Sequence, residues 1–193
     1  AVAPDLFHRI TAEMVESTGK SKRDQLGDPQ IVEDINATVD FLVGHSSIDS
    51  NRIGVTGFCM GGRVAWLAAA TNSTFKAAVP YYGGNILVPW GGATEAPLAA
   101  TSGMRCPVLF HFGEVDENPS QDDMLILDKE LSAHSIPHQF YTYPGAGHAF
   151  MNPASPARYQ RAAAEMSWPR TLDFFDKHLG LQRAAGNDEP ACA

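Results

Sequence analysis

The sequence lacks the features that mark several large classes of protein. Only three of its 193 residues are cysteine, and their spacing is neither that of a metal site nor that of a disulfide framework. Basic residues are scattered and are outnumbered 14 to 22 by acidic ones, which disfavours nucleic acid and anionic membranes as partners. No apolar run is long enough to span a bilayer. We therefore expect a cytoplasmic protein without a nucleic-acid partner, a membrane partner or a bound metal.

The residues that are present suffice for one buried core, since 44% of them are hydrophobic. Strand and helix patterns alternate along the chain. Strands are predicted near 53–56, 75–82, 108–112 and 139–143, and helices near 28–45, 64–70, 120–135 and 156–179. This alternation predicts a parallel sheet with helices on both faces. We expect residues 1–193 to form a single domain with a frayed tail at 183–193.

Three segments do not fit this alternation simply. Ala1 to Pro4 resemble the end of a buried strand, which would give about five strands, and either an initiator Met was removed there or a preceding segment is absent. Residues 10–28 are polar and are expected to be irregular, until Asp28 caps the next helix and Pro29 occupies its first turn. Residues 83–105 are rich in glycine with scattered apolar groups, including Trp90, and are expected to cover the mouth of a pocket.

The segment Gly57-Phe58-Cys59-Met60-Gly61-Gly62 lies where a predicted strand meets a predicted helix. The pattern Gly-x-Ser/Cys-x-Gly is that of a nucleophile elbow, in which side chains at either glycine are expected to collide with the sharp turn. The Cys59 thiol would lie at a helix N-terminus, which favours a thiolate, and the N–H of Met60 would donate to an oxyanion. The alternative is a buried cysteine in a glycine-rich turn of the nucleotide-binding kind.

An acid and a histidine follow the elbow in the order that a catalytic triad on such a sheet requires. Asp116 follows the third complete predicted strand, and His148 follows the last one in a glycine-rich loop. Both lie beyond the carboxyl ends of strands, where α/β sheets place their sites. The alternatives are that His148 is an ordinary surface histidine and that Asp116 is part of an acidic turn, with Glu114 and Glu117 beside it.

These motifs and their order resemble the dienelactone hydrolase family, whose members have an α/β-hydrolase fold and use a Cys–Asp–His triad. The likeness covers nearly the whole chain, through Ala3-Pro4-Asp5-Leu6-Phe7-His8-Arg9, Tyr81-Tyr82-Gly83, Gly145-Ala146-Gly147-His148-Ala149-Phe150 and the closing helix from Trp168 to Phe175. It implies Cys59 as nucleophile, His148 as base and Asp116 as the residue that orients the base. It also implies that Arg9 binds a substrate carboxylate; the alternative is an ordinary solvated arginine at the start of the polar stretch 10–28. Tyr82, Trp90 and Asn152 are the other candidates for contacting the substrate.

The chain departs from the family's pattern in two places. The family has a second arginine shortly after the catalytic histidine, where this chain has Asn152, so neutral esters should be accepted more readily than in a two-arginine pocket. The family's early strands, which carry a second oxyanion donor, have no counterpart before Ala1. The expected fold is therefore an α/β-hydrolase fold that lacks its N-terminal strands.

The resemblance implies a hydrolase of small ester or lactone substrates, like a carboxymethylenebutenolidase, that needs no cofactor and is a monomer or weak homo-oligomer. A generic carboxylesterase or thioesterase is the near alternative. A catalytically silent binding or interaction domain with the same fold is the alternative from another class. A redox-sensing role for Cys59 has no evident resolving cysteine to support it.

Overall fold

The computed structural model describes residues 1–180, so the tail predicted at 183–193 lies outside the described residues. The sheet has four parallel strands in the order β1-β2-β3-β4, formed by Gly54–Phe58, Ala77–Tyr81, Val108–Gly113 and His138–Tyr143. The α-helices of this part of the chain are α1 (Ala12–Thr18), α2 (Asp28–Gly44), α3 (Met60–Thr71), α4 (Gln121–Ala133) and α5 (Arg161–Leu179). Short 3₁₀ helices lie at Arg23–Gln25 and Pro97–Gly103. The predicted alternation and the parallel sheet are confirmed.

Helices cover both faces of the sheet because successive strand side chains point to opposite sides. On β3, Val108, Phe110 and Phe112 enter one core, which also receives the apolar faces of α2, α3 and α4. Leu109, between them, belongs to a second core on the other face. Helix α5 covers that second core, to which it contributes Ala163. The sheet is therefore buried on both sides in its central strands, and its carboxyl edge is left to carry loops.

Two of the expectations about the first 28 residues are wrong. Ala1 to Asp5 are exposed and belong to no strand, so the sheet has four strands within residues 1–180 instead of about five. An extended segment needs a neighbouring strand for its backbone hydrogen bonds, and β1 pairs only with β2 in the part of the chain that the structure describes. The stretch expected to be irregular contains α1, whose ends are set by Thr11, which accepts from the N–H of Met14, and by Gly19 in the left-handed region.

The longer helices begin and end close to their predicted positions. Helix α4 begins with a capping box in which Ser120 and Asp123 each accept a backbone N–H from the other. Helix α5 starts at Arg161, a few residues later than predicted, and ends as predicted at Gly180, whose φ is 62°. Of the helices in residues 1–180, none combines the length and apolarity needed to cross a membrane.

Candidate active site

Cys59 occupies the tight turn that joins β1 to α3. Its φ of 56° and ψ of −120° are strained for a residue with a side chain, and its N–H donates to the carbonyl of Tyr81 at 3.1 Å. A Cβ on Gly57 would lie 2.1 Å from the carbonyl oxygen of Gly61, so the first glycine of the motif is required. The prediction that Gly61 is needed for the same reason is wrong, because a Cβ there meets open space. Gly62 is the second glycine that packing requires, since its Cβ would lie 2.5 Å from the carbonyl oxygen of Tyr81.

The structure brings Cys59, His148 and Asp116 together at the carboxyl edge of the sheet. His148 Nε2 lies 3.0 Å from Cys59 Sγ, and His148 Nδ1 lies 3.0 Å from Asp116 Oδ2. The Asp116 side chain is only 2% exposed and that of His148 is 30% exposed. Thiol, imidazole and carboxylate therefore form one hydrogen-bonded line, with a buried acid at one end and an accessible thiol at the other.

The three acidic residues of the loop after β3 have different surroundings. Asp116 uses both oxygens, because Oδ1 accepts the N–H of Asn118 at 2.9 Å while Oδ2 faces His148. Glu114 Oε2 accepts the N–H of Gly145 at 2.9 Å and so holds the neighbouring loop. Glu117 is exposed and lines the cavity described below. Of these three carboxylates, only Asp116 has a hydrogen bond to His148.

The loop that carries Asp116 and the loop that carries His148 are joined through their backbones. The N–H of Val115 donates to the carbonyl of Ala146 at 3.0 Å, and the N–H of Glu114 donates to the carbonyl of Tyr143 at 3.0 Å. This approach needs Gly113, because a Cβ there would lie 2.2 Å from the Ala146 oxygen. The spacing between acid and base is thus fixed by backbone contacts.

The site shifts the proton affinities of thiol and imidazole in opposite directions. The hydrogen bond to Asp116 is the main reason that the pKa of His148 rises from 6.5 to about 9, and the hydrogen bond to Cys59 adds to it. The hydrogen bond to His148 lowers the pKa of the Cys59 thiol, burial opposes this, and the Met60 N–H and the charge of Arg23 lower it further. The two shifts together favour a thiolate beside an imidazolium, which is a nucleophile ready to react.

A cavity of about 360 Å³ opens in front of the thiol. Met60 and Trp90, both predicted site residues, line it, and Trp90 comes from the loop that was expected to cover a pocket. Tyr82 is buried behind His148, with its ring 5.2 Å from the imidazole, and burial raises the pKa of its phenol. Tyr82 therefore supports the histidine from behind and does not line the cavity.

Arg9 and Asn152 lie outside the lining of this cavity. The Arg9 guanidinium pairs with Asp34 and approaches Glu33 at 3.7 Å, both on α2. Asn152 is exposed, and its Oδ1 accepts the N–H of Ala154 at 3.1 Å. The substrate contacts expected of these two residues stay predictions, and each side chain already has partners within the protein.

A buried arginine that the sequence did not reveal holds residues 83–105, here called the pocket loop, in place. The Arg63 side chain is fully buried and donates to the carbonyls of Asn85, at 3.0 Å, and Val88, at 2.7 Å. It also binds both carboxylate oxygens of Asp28 and lies 3.8 Å from the centre of the Trp90 ring. Asp28, predicted as an N-cap, is instead the first residue of α2, and its carboxylate pairs with the Arg63 guanidinium.

Other missed residues complete the cavity wall. Asn118 Oδ1 accepts the N–H of Asn85 at 2.9 Å, which ties the pocket loop to the loop of the acid. Arg23, from the short 3₁₀ helix between α1 and α2, places a cation in the lining. No group of three or more His, Cys, Asp or Glu side chains within residues 1–180 is arranged to hold a metal ion. The groups that the structure brings together here are a thiol, an imidazole and an anchored carboxylate, an arrangement that is chemically capable of acyl transfer.

A thiol on a strand-to-helix elbow, with an acid and a histidine after later strands of a parallel sheet, defines the α/β-hydrolase class. The sequence model of the dienelactone hydrolase family matches residues 1–179. The chain belongs to the dienelactone hydrolase family, and the resemblance inferred from its motifs is confirmed.

Similar proteins support the same family. A carboxymethylenebutenolidase of Rhodococcus opacus is 32% identical over 187 residues, which cover 95% of this chain and 72% of that protein. A Methylorubrum extorquens protein named as a carboxymethylenebutenolidase is 30% identical over 182 residues, or 92% of this chain. The chain spans 62% of the length of that relative, and likewise of a Bradyrhizobium protein named as a lactonase.

Solved structures share the fold. A structure named as a dienelactone hydrolase from Klebsiella pneumoniae superposes with a TM-score of 0.76 at 28% identity, covering 90% of this chain and 73% of that one. A dienelactone hydrolase-like promiscuous phosphotriesterase from metagenomic libraries has a TM-score of 0.69 at 21% identity, covering 86% of this chain and 68% of that one. These likenesses confirm the α/β-hydrolase fold.

Proposed function

We propose that this chain hydrolyses carboxylic esters or lactones through Cys59, His148 and Asp116, as carboxymethylenebutenolidases are named for doing. The observation that carries the proposal is the line of two 3.0 Å hydrogen bonds from Cys59 Sγ through His148 to Asp116. The thiol at its end lies in the lining of a cavity large enough for a small substrate. The names of the Rhodococcus opacus and Methylorubrum extorquens relatives support the same reaction.

The first half of the reaction is acyl transfer to sulfur. The Cys59 thiolate attacks the carbonyl carbon, and the carbonyl π electrons move to oxygen to give a tetrahedral oxyanion. When the oxyanion collapses, the bond to the alkoxide breaks, and the proton on His148 Nε2 passes to the leaving oxygen. The products of this half are an alcohol and a Cys59 thioester, or a single acyl-enzyme carrying the alcohol when a lactone ring opens.

The second half is hydrolysis of the thioester. Neutral His148 accepts a proton from water as the water oxygen attacks the thioester carbon, and collapse of the second oxyanion expels the thiolate. The free acid is released, and the thiolate–imidazolium pair is restored. Asp116 keeps the Nδ1 proton of His148 pointing at its carboxylate throughout, so that Nε2 faces sulfur and substrate.

The N–H of Met60 is the proposed donor to both oxyanions. It follows the nucleophile in the elbow and lies close enough to Cys59 to lower the pKa of the thiol. A backbone N–H at a helix N-terminus is already aligned before charge develops, so it stabilises the oxyanion without reorganising. Met60 also lines the cavity, next to the place where the substrate carbonyl must lie.

Trapping of the acyl-enzyme tests the proposal. Brief incubation with an activated ester such as para-nitrophenyl acetate, followed by acid quench and peptide mass spectrometry, should find an acetyl group on Cys59. Cys59→Ala should lose both the adduct and the turnover. Cys106 is the internal control, because it is buried and burial raises the pKa of its thiol to about 11.

The alternative, a silent domain with this fold, makes a different prediction. Such a protein would show no turnover of any activated ester or lactone, and any adduct on Cys59 would form without a catalytic burst. Acetylation at Cys106 with Cys59 unmodified would contradict the assignment of the nucleophile.

A further inference from the structure

The cation that faces the thiol in this cavity is Arg23, which comes from the short 3₁₀ helix at Arg23–Gln25. It lines the same cavity as Cys59, Met60 and His148. No other lysine or arginine of residues 1–180 does so. Arg23 is therefore the cation that the cavity lining offers to an anionic part of a substrate.

The Arg23 guanidinium is available to a ligand. Within residues 1–180 no carboxylate lies at ion-pair distance from it. Its guanidinium carbon lies 5.6 Å from the centre of the Trp90 ring. Stacking near an aromatic ring restrains a guanidinium while leaving its in-plane N–H donors free for a carboxylate.

Arg9, in contrast to Arg23, is already paired with carboxylates of the protein. Its guanidinium is bound by Asp34 and lies near Glu33, and the side chain is absent from the cavity lining. A substrate carboxylate would have to displace Asp34, whose own side chain is only 9% exposed, before it could pair with Arg9. Leaving a buried carboxylate without its cation is costly, so Arg9 is poorly placed to release its partner.

We propose that Arg23 is the specificity-determining residue that binds the anionic group of the substrate. The inference rests on the proposed hydrolysis at Cys59 and adds to it the residue that would recognise a carboxylate. Trp90 holds the guanidinium at the cavity wall, and Arg63 and Asp28 fix Trp90 from behind. Glu117, the exposed carboxylate in the same lining, opposes binding of an anion and sets the upper limit on this preference.

A pair of matched esters measures this preference. The substrates are para-acetoxybenzoate and para-acetoxybenzamide, which differ in charge and are close in shape. The ratio of their kcat/KM values should fall about 10- to 100-fold in Arg23→Gln, the range expected for a charge-assisted hydrogen bond. Lys22→Gln, a neighbouring cation outside the cavity lining, is the matched control for the loss of one positive charge. Glu117→Gln should change the ratio in the opposite direction.

A second measurement does not depend on hydrolysis. Iodoacetate and iodoacetamide both alkylate a thiolate by the same displacement of iodide, and only the first carries a charge. The ratio of their rates at Cys59 should fall severalfold in Arg23→Gln and stay unchanged in Lys22→Gln. Because both reagents consume the same thiolate, a change in the thiol pKa cancels from the ratio.

The outcomes separate the two proposals. If wild type hydrolyses no activated ester or lactone but the alkylation ratio falls in Arg23→Gln, the proposed hydrolysis is wrong and the anion subsite stands. If the esters are hydrolysed and both ratios are unchanged in Arg23→Gln, Arg23 does not recognise the substrate. A loss of the ester preference in Arg9→Gln with none in Arg23→Gln would assign the carboxylate to Arg9 and overturn the inference.

Discussion

His148 and His111 are each hydrogen-bonded at both ring nitrogens, and yet their pKa values are shifted in opposite directions. His148 lies between a carboxylate and a thiol, and its pKa is raised to about 9. His111, on β3, lies between the hydroxyl of Tyr143 at 2.8 Å and that of Thr171 at 3.0 Å, and its pKa is lowered to about 3. The number of hydrogen bonds is the same, so it does not explain the difference.

The difference comes from the charge of the partners and from access to water. A carboxylate stabilises an imidazolium, whereas neutral hydroxyls in a buried setting leave the cost of desolvating the charge uncompensated. Burial is accordingly the main cause of the low pKa of His111, and the charge of nearby Arg170 adds to it. A histidine that is buried in the core between two hydroxyls is thus neutral and structural. The same side chain at the carboxyl edge of the sheet, next to a carboxylate, can gain and lose a proton.

The largest difference between the two histidines should appear in kcat when each imidazole is removed. His148→Ala should lower kcat on an activated ester by about 10³- to 10⁶-fold, because no other group can accept and return the proton. His111→Gln, which keeps hydrogen-bonding groups in the core, should retain most of the activity. Steady-state kinetics measures both, with circular dichroism to check folding. Comparable losses of kcat in two folded variants would show that His111 takes part in the chemistry.

Replacing the Asp116 carboxylate with a neutral amide should have a smaller effect on kcat than removing His148. Asp116→Asn should lower kcat by up to about 10⁴-fold, since an amide cannot hold the same tautomer or stabilise the imidazolium. The rate of alkylation of Cys59 by iodoacetamide should fall at neutral pH as well, because His148 then supports less thiolate. Glu114→Gln and Glu117→Gln are the matched controls. A greater loss of kcat in either control than in Asp116→Asn would identify a different acid.

The smallest effect concerns the stability of the fold in acid. Because the pKa of His111 is about 3 in the folded chain against 6.5 normally, the unfolded chain binds a proton between these values that the folded chain does not. Stability conferred by neutral His111 is therefore complete above pH 6.5 and is lost as the pH falls towards 3, by up to about 1.4 kcal/mol per pH unit. Urea unfolding at several pH values should show a shallower decline in His111→Gln than in wild type. An identical slope would contradict the assignment.

The parts of the site that depend on local sequence could be predicted without the structure. The elbow is contiguous, and its spacing follows from the geometry of one turn, so Cys59 and Met60 were identifiable. Asp116 and His148 follow strands, and strand ends of a parallel sheet meet at one edge. The requirement for glycine that was predicted at Gly61 falls instead on Gly62, because the collision depends on β2, which approaches Gly62 through the carbonyl of Tyr81.

The cations of the site could not be predicted in this way. Arg9 matches a family motif, but its partner Asp34 lies one helix further along the chain, and nothing in the spacing reveals the pairing. Arg23 lies in a polar stretch that carries no apolar periodicity, and its approach to the cavity depends on Trp90, 67 positions away (90 − 23). Asp28 matched an N-cap pattern because a carboxylate at a helix start serves either role, and only the fold brings Arg63 to it.

The way in which Arg63 binds the pocket loop has a consequence for how the selectivity of the cavity can change. Arg63 binds the carbonyls of Asn85 and Val88, which every amino acid possesses, and it does not depend on the side chains at these positions. The path of the loop should therefore persist when its exposed side chains, such as that of Val88, are substituted. Variation there can alter what enters the cavity while the scaffold under it persists. Substitutions in the pocket loop are therefore the changes most able to alter which substrates enter the cavity without loss of the fold, both in evolution and in a mutant library.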